Sequence, residues 1–231
     1  MTKTRTTSSD NSDAREAILV SIRRSLATSA PFDADWREHH GHSGDLPTEP
    51  TLAQPATSRE TLINNFRNSL ELVGGLCTVV SNEIKAADHI RTIIESLPAT
   101  RIAISDSELV KRVVDRGDGI EIVENAPAEY LFDCDLGITS AQWAIAETGT
   151  LVLESDKESH RLTSLVPPVH LCVLKADNIR QTLGEILKLV SRDLSRTVTF
   201  ITGASRTSDI ELTLAIGVHG PGELHVIVIT D

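Results

Sequence analysis

Side chains suited to ligand chemistry gather in three polar segments of this chain. The richest runs Thr202-Gly203-Ala204-Ser205-Arg206-Thr207-Ser208-Asp209-Ile210-Glu211, and Gly217-Val218-His219-Gly220-Pro221 follows it. Glycine, hydroxyls, one guanidinium and one imidazole there lie between two apolar runs, 198–201 and 224–229. Ser208 and Glu211 stand at capping-box spacing, which predicts a helix over 209–216 stopped by Gly217. Gly203, Ser205, Arg206 and Thr207 would then precede a helix N-terminus, where free N–H groups and the helix dipole favour a carboxylate or phosphate. Arg206 adds a planar fork suited to either anion. The plain alternative is that Arg206 pairs with Asp209 or Glu211 and the segment is only a capped connection.

His219, fixed between glycines and a proline, is the best-placed imidazole for proton transfer or ligand hydrogen bonding. In the second segment, Ala146-Glu147-Thr148-Gly149-Thr150, Glu147 is a candidate base or nucleophile, or a surface carboxylate that caps local amides. Gly149 permits a close backbone approach there, and Thr150 opens the next strand. The third segment is Ser159-His160-Arg161-Leu162-Thr163-Ser164-Leu165-Val166-Pro167-Pro168-Val169-His170. His160 and Arg161 are candidates to face an anion, and His170 reads as a core histidine with one satisfied ring nitrogen. Ser205, His219 and Asp209 do not make a hydrolase triad, because the serine is not in a Gly-x-Ser-x-Gly elbow. His39-His40-Gly41-His42 lies in a linker that supplies no fixed metal geometry.

The elements around these segments predict an α/β protein. Strands are expected at 77–80, 102–104, 121–123, 136–139, 150–153, 169–174, 198–201 and 224–229. Helices are expected at 59–72, 85–96, 108–116, 179–191 and 209–216. Such alternation indicates a mainly parallel sheet with helices on both faces. Residues 1–57 read as a tail, an N-terminal helix with Ile18, Ile22 and Leu26 in one stripe, and a linker rich in proline; 58–231 read as the α/β domain.

With 231 residues, 40% apolar and 24% charged, the chain can bury a sizeable core, and 3% aromatic content makes that core aliphatic. A net charge of −11 without a basic stripe argues against nucleic acid or anionic membrane as partner. Cys77, Cys134 and Cys172 are isolated, which predicts reduced thiols in a cytoplasmic protein and no all-cysteine iron–sulfur or zinc site within the chain. No apolar run of signal or membrane-spanning length opens the sequence, so an unexported protein without a membrane span is expected.

Ala146-Glu147-Thr148-Gly149-Thr150, Ser164-Leu165-Val166-Pro167, Ser205-Arg206-Thr207-Ser208-Asp209-Ile210-Glu211 and Gly217-Val218-His219-Gly220-Pro221, in that order, resemble the lactate-utilisation protein C family, the LUD domain. The resemblance extends over essentially the whole chain. It departs at Ala204, where the family commonly has proline. What it implies is a subunit of a three-protein cytoplasmic system that oxidises L-lactate to pyruvate, with iron–sulfur clusters in the partner proteins and none here. It also implies a fold similar to sugar-phosphate isomerases and CoA transferases, whose ligands are anionic. On this reading Glu147 and His219 lie beside a small anion held by Gly149, Thr150, Gly203, Ser205, Arg206, Thr207, Asp209 and Gly220. Two alternatives stay open: an independent enzyme acting on small phosphorylated or CoA-linked acids, with Glu147 as base or nucleophile and His219 as acid, and a non-catalytic scaffold or regulatory protein.

Overall fold

A computed structural model of the chain describes residues 15–24, 58–115, 119–124, 127–158, 161–193, 195–208, 214–217 and 219–231. The chain divides into two compact units, 1–53 and 54–231. In the first, residues 15–24 form helix α1, on which Ile18, Leu19, Val20 and Ile22 are exposed. Leu26 and the histidine tract lie outside the described residues.

The second unit is built on a six-stranded sheet in the order β1-β12-β7-β4-β2-β3, every neighbouring pair parallel. Its strands are β1 (Leu76–Val80), β2 (Arg101–Ile104), β3 (Glu121–Glu124), β4 (Leu136–Ser140), β7 (Val169–Lys175) and β12 (Glu223–Ile229). The central three bury nearly every residue, because both faces are covered and alternation gives way to continuous apolar runs. On one face, Leu171, Val173, Ile227 and Ile229 pack with Ala86, Ile90, Ile93 and Ile94 of α3 (Glu83–Ser96) and Val110 and Val113 of α4 (Glu108–Val113). On the other, Cys172, Leu174, Val226 and Val228 meet Ile63, Phe66 and Leu70 of α2 (Arg59–Leu72). The spacing of those three puts them on one helix face, and burying each contributes about 1.5–3 kcal/mol. Side chains start both long helices: Ser58 accepts from Thr61 N at 3.1 Å and Asn82 from Lys85 N at 3.0 Å.

Helices therefore do cover both faces of a mainly parallel sheet, as the sequence predicts. The expected strands at 150–153 and 198–201 belong to a second sheet, ordered β8-β5-β6-β9, whose β5–β6 and β6–β9 pairs are antiparallel. Here β5 is Trp143–Ile145, β6 Thr150–Glu154, β8 Ile179–Arg180 and β9 Val198–Thr202. The helix expected over 179–191 is shorter: Ile179 and Arg180 pair with β5, and the helix is Leu183–Val190. A four-residue helix, α5 (Ala128–Leu131), precedes β4, so Leu183–Val190 is α6. A capping box holds its start, made by Thr182 and Glu185.

The helix expected over 209–216 is corrected by the structure. Arg206–Ser208 is strand β10 and Leu214–Ile216 is strand β11, paired antiparallel with Arg206 opposite Ile216. The last three residues of the expected helix, 214–216, are thus strand, while 209–213, with the capping partner Glu211, lie outside the described residues. Among the described residues no helix is long and apolar enough to cross a membrane.

Candidate functional site

Three segments far apart in sequence are stitched together by main-chain hydrogen bonds at the amino ends of β7 and β12. Ser205 N donates to Pro221 O at 2.8 Å, and Gly217 N donates to Ser205 O at 3.0 Å. Gly222 N donates to Pro168 O at 2.9 Å, which ties the turn before β12 to the prolines before β7. Gly203 makes the corner after β9: its φ is 76°, and a side chain there would come within 2.3 Å of Val73 O. Only glycine fits that left-handed position against the end of α2. A single tight turn at Arg161–Ser164, closed by Ser164 Oγ donating to Arg161 O at 2.7 Å, delivers Ser164 and Leu165.

These segments enclose a cavity of about 300 Å³. Its lining comprises Ser164, Leu165, His170, the stretch from Phe200 to Arg206, His219, Gly220, Pro221 and Leu224. Among the described lining residues Arg206 is the one arginine or lysine. Its guanidinium is exposed and donates to the Val73 carbonyl, at the C-cap of α2, at 2.8 Å. A cation there also offsets the negative end of the helix dipole. One donor of a five-donor fork is thus engaged by main chain, and no carboxylate partner for Arg206 occurs among the described residues. The side chain belongs to β10, and Asp209 and Glu211, the partners of the plainer alternative, lie outside the described residues.

The floor of the cavity is His170, the second residue of β7 and 1% exposed. Its Nε2 lies 2.8 Å from Thr139 Oγ1 on β4. Burial pushes its pKa down to about 3, so the ring is neutral at ordinary pH. His219 is exposed at the rim.

Of the residues singled out from sequence, Gly203, Ser205, Arg206, His219 and Gly220 line this cavity. Thr207 lies in β10, opposite Ala215, and Asp209 and His160 lie outside the described residues. Glu147, Gly149 and Thr150 stand elsewhere. Glu147 is exposed, and its Oε1 accepts from Leu183 N at 3.0 Å, capping the first turn of α6. Gly149 packs against the backbone of α2. Thr150 connects indirectly, since its Oγ1 is 2.7 Å from that of Thr202, a lining residue. Sequence reasoning missed Phe200 and Thr139: the aromatic reads as an ordinary strand residue, and Thr139 matters only through its pairing with β7.

The three free thiols are dispersed, and burial raises the pKa of each; Cys77 reaches about 11. No group of three or more His, Cys, Asp or Glu side chains able to hold a metal ion occurs among the described residues.

A parallel sheet flanked by a smaller, mostly antiparallel one, with a cavity gathered from glycine-rich connections, makes this chain an α/β protein. The sequence pattern of the LUD domain matches residues 63–229, and the chain belongs to that family. A lactate utilization protein C from Deinococcus radiodurans is 31% identical over 97% of this chain and 99% of its own length. The uncharacterized protein NMB1437 of Neisseria meningitidis is 36% identical over 56% of this chain and 54% of its own, and a Bacillus subtilis lactate utilization protein C is 32% identical over 42% and 43%. The chain thus spans about half the length of several curated relatives and nearly all of one. A crystal structure of a DUF162 family protein from D. radiodurans superposes with a TM-score of 0.60 at 25% identity, covering 74% of this chain and 98% of that one.

Proposed function

We propose that this LUD-domain protein takes part in lactate utilisation as a subunit that binds a small carboxylate in the cavity at the amino ends of β7 and β12. The observation that carries the reading is the convergence of the Ser164-Leu165, Gly203-to-Arg206 and His219-to-Pro221 segments on one cavity with a single guanidinium beside it. Those same segments hold the motifs by which the sequence resembles the lactate-utilisation protein C family, and a relative named for lactate utilisation matches nearly the whole chain. Arg206 supplies the counter-charge, and Ser205 and His219 supply further hydrogen-bonding groups. We assign the oxidation of L-lactate to pyruvate to the assembly, with iron–sulfur clusters carried by partner proteins and this chain contributing the acid-binding site.

Calorimetric titration of the wild type and Arg206→Ala with L-lactate, pyruvate, phosphate and CoA tests the site. Saturable binding of the short carboxylates is expected, weakened in the variant by about 1.5–3 kcal/mol, the scale of a charged hydrogen bond. Equal affinity in both proteins would remove Arg206 from the site, and a preference for CoA or phosphate would favour an independent enzyme on such acids. Co-purification of cysteine-rich iron–sulfur proteins with the tagged chain tests the assembly, and their absence would count against it.

A further inference from the structure

The sheet face on which α6 lies is wider than the helix. Cross-strand pairing sets Ile145 opposite Thr150, Thr150 opposite Thr202 and Val152 opposite Phe200, so these side chains share one face of the second sheet. Ile186 and Val190 of α6 cover part of it by packing with Ile145 and Val152. Phe200 and Thr202, on the edge strand β9, stay exposed. Leu183 and Leu187, one helical turn apart on the flank of α6, are 42% and 52% exposed, and Phe200 is 43% exposed. These side chains line a trough of about 330 Å³. Contiguous apolar surface left open in this way marks a place where something binds.

The trough asks for little polar contact. Thr148 Oγ1 and Thr202 Oγ1 each lie 2.7 Å from Thr150 Oγ1, so the three hydroxyls that line it are turned on one another. No charged side chain is among its described lining residues. Yet it adjoins the cavity that holds Arg206, because Phe200 and Thr202 line both. The Arg206 guanidinium is close to that junction: it donates to Val73 O, the atom that a side chain at Gly203, next after Thr202, would strike. The cavity of about 300 Å³ alone has room for roughly ten waters at ~30 Å³ each, far more than a three-carbon acid displaces.

We propose that the site takes a carboxylic acid with an unbranched apolar tail, the carboxylate on Arg206 and the tail passing over Thr202 and Phe200 into the trough beside Leu183 and Leu187. This rests on the reading of the cavity as a carboxylate site. A positive charge at one end and an uncharged aliphatic and aromatic groove at the other match the polarity of an aliphatic acid. A three-carbon acid occupies only the Arg206 end and leaves the trough to water. Leu187 and Phe200 are thereby specificity-determining for chain length.

The test titrates the full chain calorimetrically with butanoate, hexanoate and octanoate, each well below its micelle concentration, and with octylammonium. Wild type, Leu187→Asp and Arg206→Ala are compared; Leu187 is half exposed, so its replacement leaves the core intact. A fully buried methylene is worth about 4-fold in affinity, so in an open trough each two-carbon step should tighten wild-type binding at least ~3-fold. Leu187→Asp should flatten the rise from butanoate to octanoate to under ~2-fold while holding butanoate within ~2-fold of wild type. Arg206→Ala should weaken all three acids ~10-fold or more, and octylammonium should not bind. Equal binding of the three acids by the wild type overturns the tail assignment and leaves the carboxylate site standing, as does a rise with length that survives in Leu187→Asp. Length-dependent binding indifferent to Arg206→Ala separates trough from guanidinium and overturns the proposal. Self-association of the wild type that Leu187→Asp abolishes gives the trough to a second copy of the chain and overturns it too. Failure of every acid to bind saturably defeats the carboxylate site itself, and the tail assignment with it.

Discussion

Replacing Gly149 by alanine separates packing from ligand contact at a residue whose motif suggests both. Gly149 turns the chain from β5 into β6 at φ 65°, a left-handed conformation that costs alanine about 1–2 kcal/mol. An added Cβ would stand 2.3 Å from Leu70 N, 2.5 Å from Leu70 Cα and 2.6 Å from Ser69 C, all backbone of α2. Ordinary contact begins near 3.4 Å, so α2 has to retreat by about 1 Å. Phe66 and Leu70, both 0% exposed, would be carried off the sheet with it. Overpacking of this kind costs about 1–3 kcal/mol, which together with the backbone term gives about 2–5 kcal/mol. Urea unfolding followed by circular dichroism reads this directly, as a lower midpoint at constant slope. Carboxylate affinity, measured where the variant is fully folded, should stay within ~3-fold of wild type, because a change of that size is well under one charged hydrogen bond. A loss of less than ~1 kcal/mol would refute the packing argument, since the left-handed backbone alone accounts for that much.

Glu147→Ala removes an acceptor from the first turn of α6, so it should cost about 0.5–2 kcal/mol of stability and leave carboxylate binding unchanged; lost binding in a folded variant would return Glu147 to the site. His170 adds a pH signature. Its folded pKa of about 3 lies below the ordinary 6.5, so the unfolded chain alone takes up a proton between those values, and the stability present above 6.5 is lost as pH falls toward 3. From pH 7 to pH 5 the wild type should lose about 2 kcal/mol more than His170→Gln, and equal losses would contradict the buried neutral ring. Glu158 behaves oppositely. It is 4% exposed, accepts from Ser140 N at 2.8 Å and Gln142 Nε2 at 3.2 Å, and burial raises its pKa above the ordinary 4.5. The folded chain holds this proton to higher pH than the unfolded one, so the advantage of wild type over Glu158→Gln should shrink as pH rises from 4.5 through the folded value; a growing advantage would reverse the sign.

The parallel sheet was legible because β4, β7 and β12 are buried on both faces and read as short, mainly apolar runs without strict alternation. The helices Arg59–Leu72 and Glu83–Ser96 were legible through their periodic apolar positions. Membership of the second sheet was not, since what removes Thr150–Glu154 from the parallel sheet is its antiparallel pairing with Val198–Thr202, a contact remote in sequence. Ser208 and Glu211 carried a local helix signal, but they could not show that Leu214–Ile216, at the end of the expected helix, pairs as a strand with Arg206–Ser208. At the cavity, residue types identified Gly203, Ser205, Arg206 and His219 as a group. They did not reveal that Arg206 leans on Val73, nor that His170, read as a core histidine with one satisfied ring nitrogen, lines the cavity. Both facts depend on which strand ends the fold brings together.

The most direct trial of the site is a crystal structure of the full chain grown with L-lactate or pyruvate. The acid is expected at the amino ends of β7 and β12, with its carboxylate on Arg206. An acid bound instead at the carboxyl ends of the strands, or a cavity occupied only by solvent at saturating acid, would contradict it.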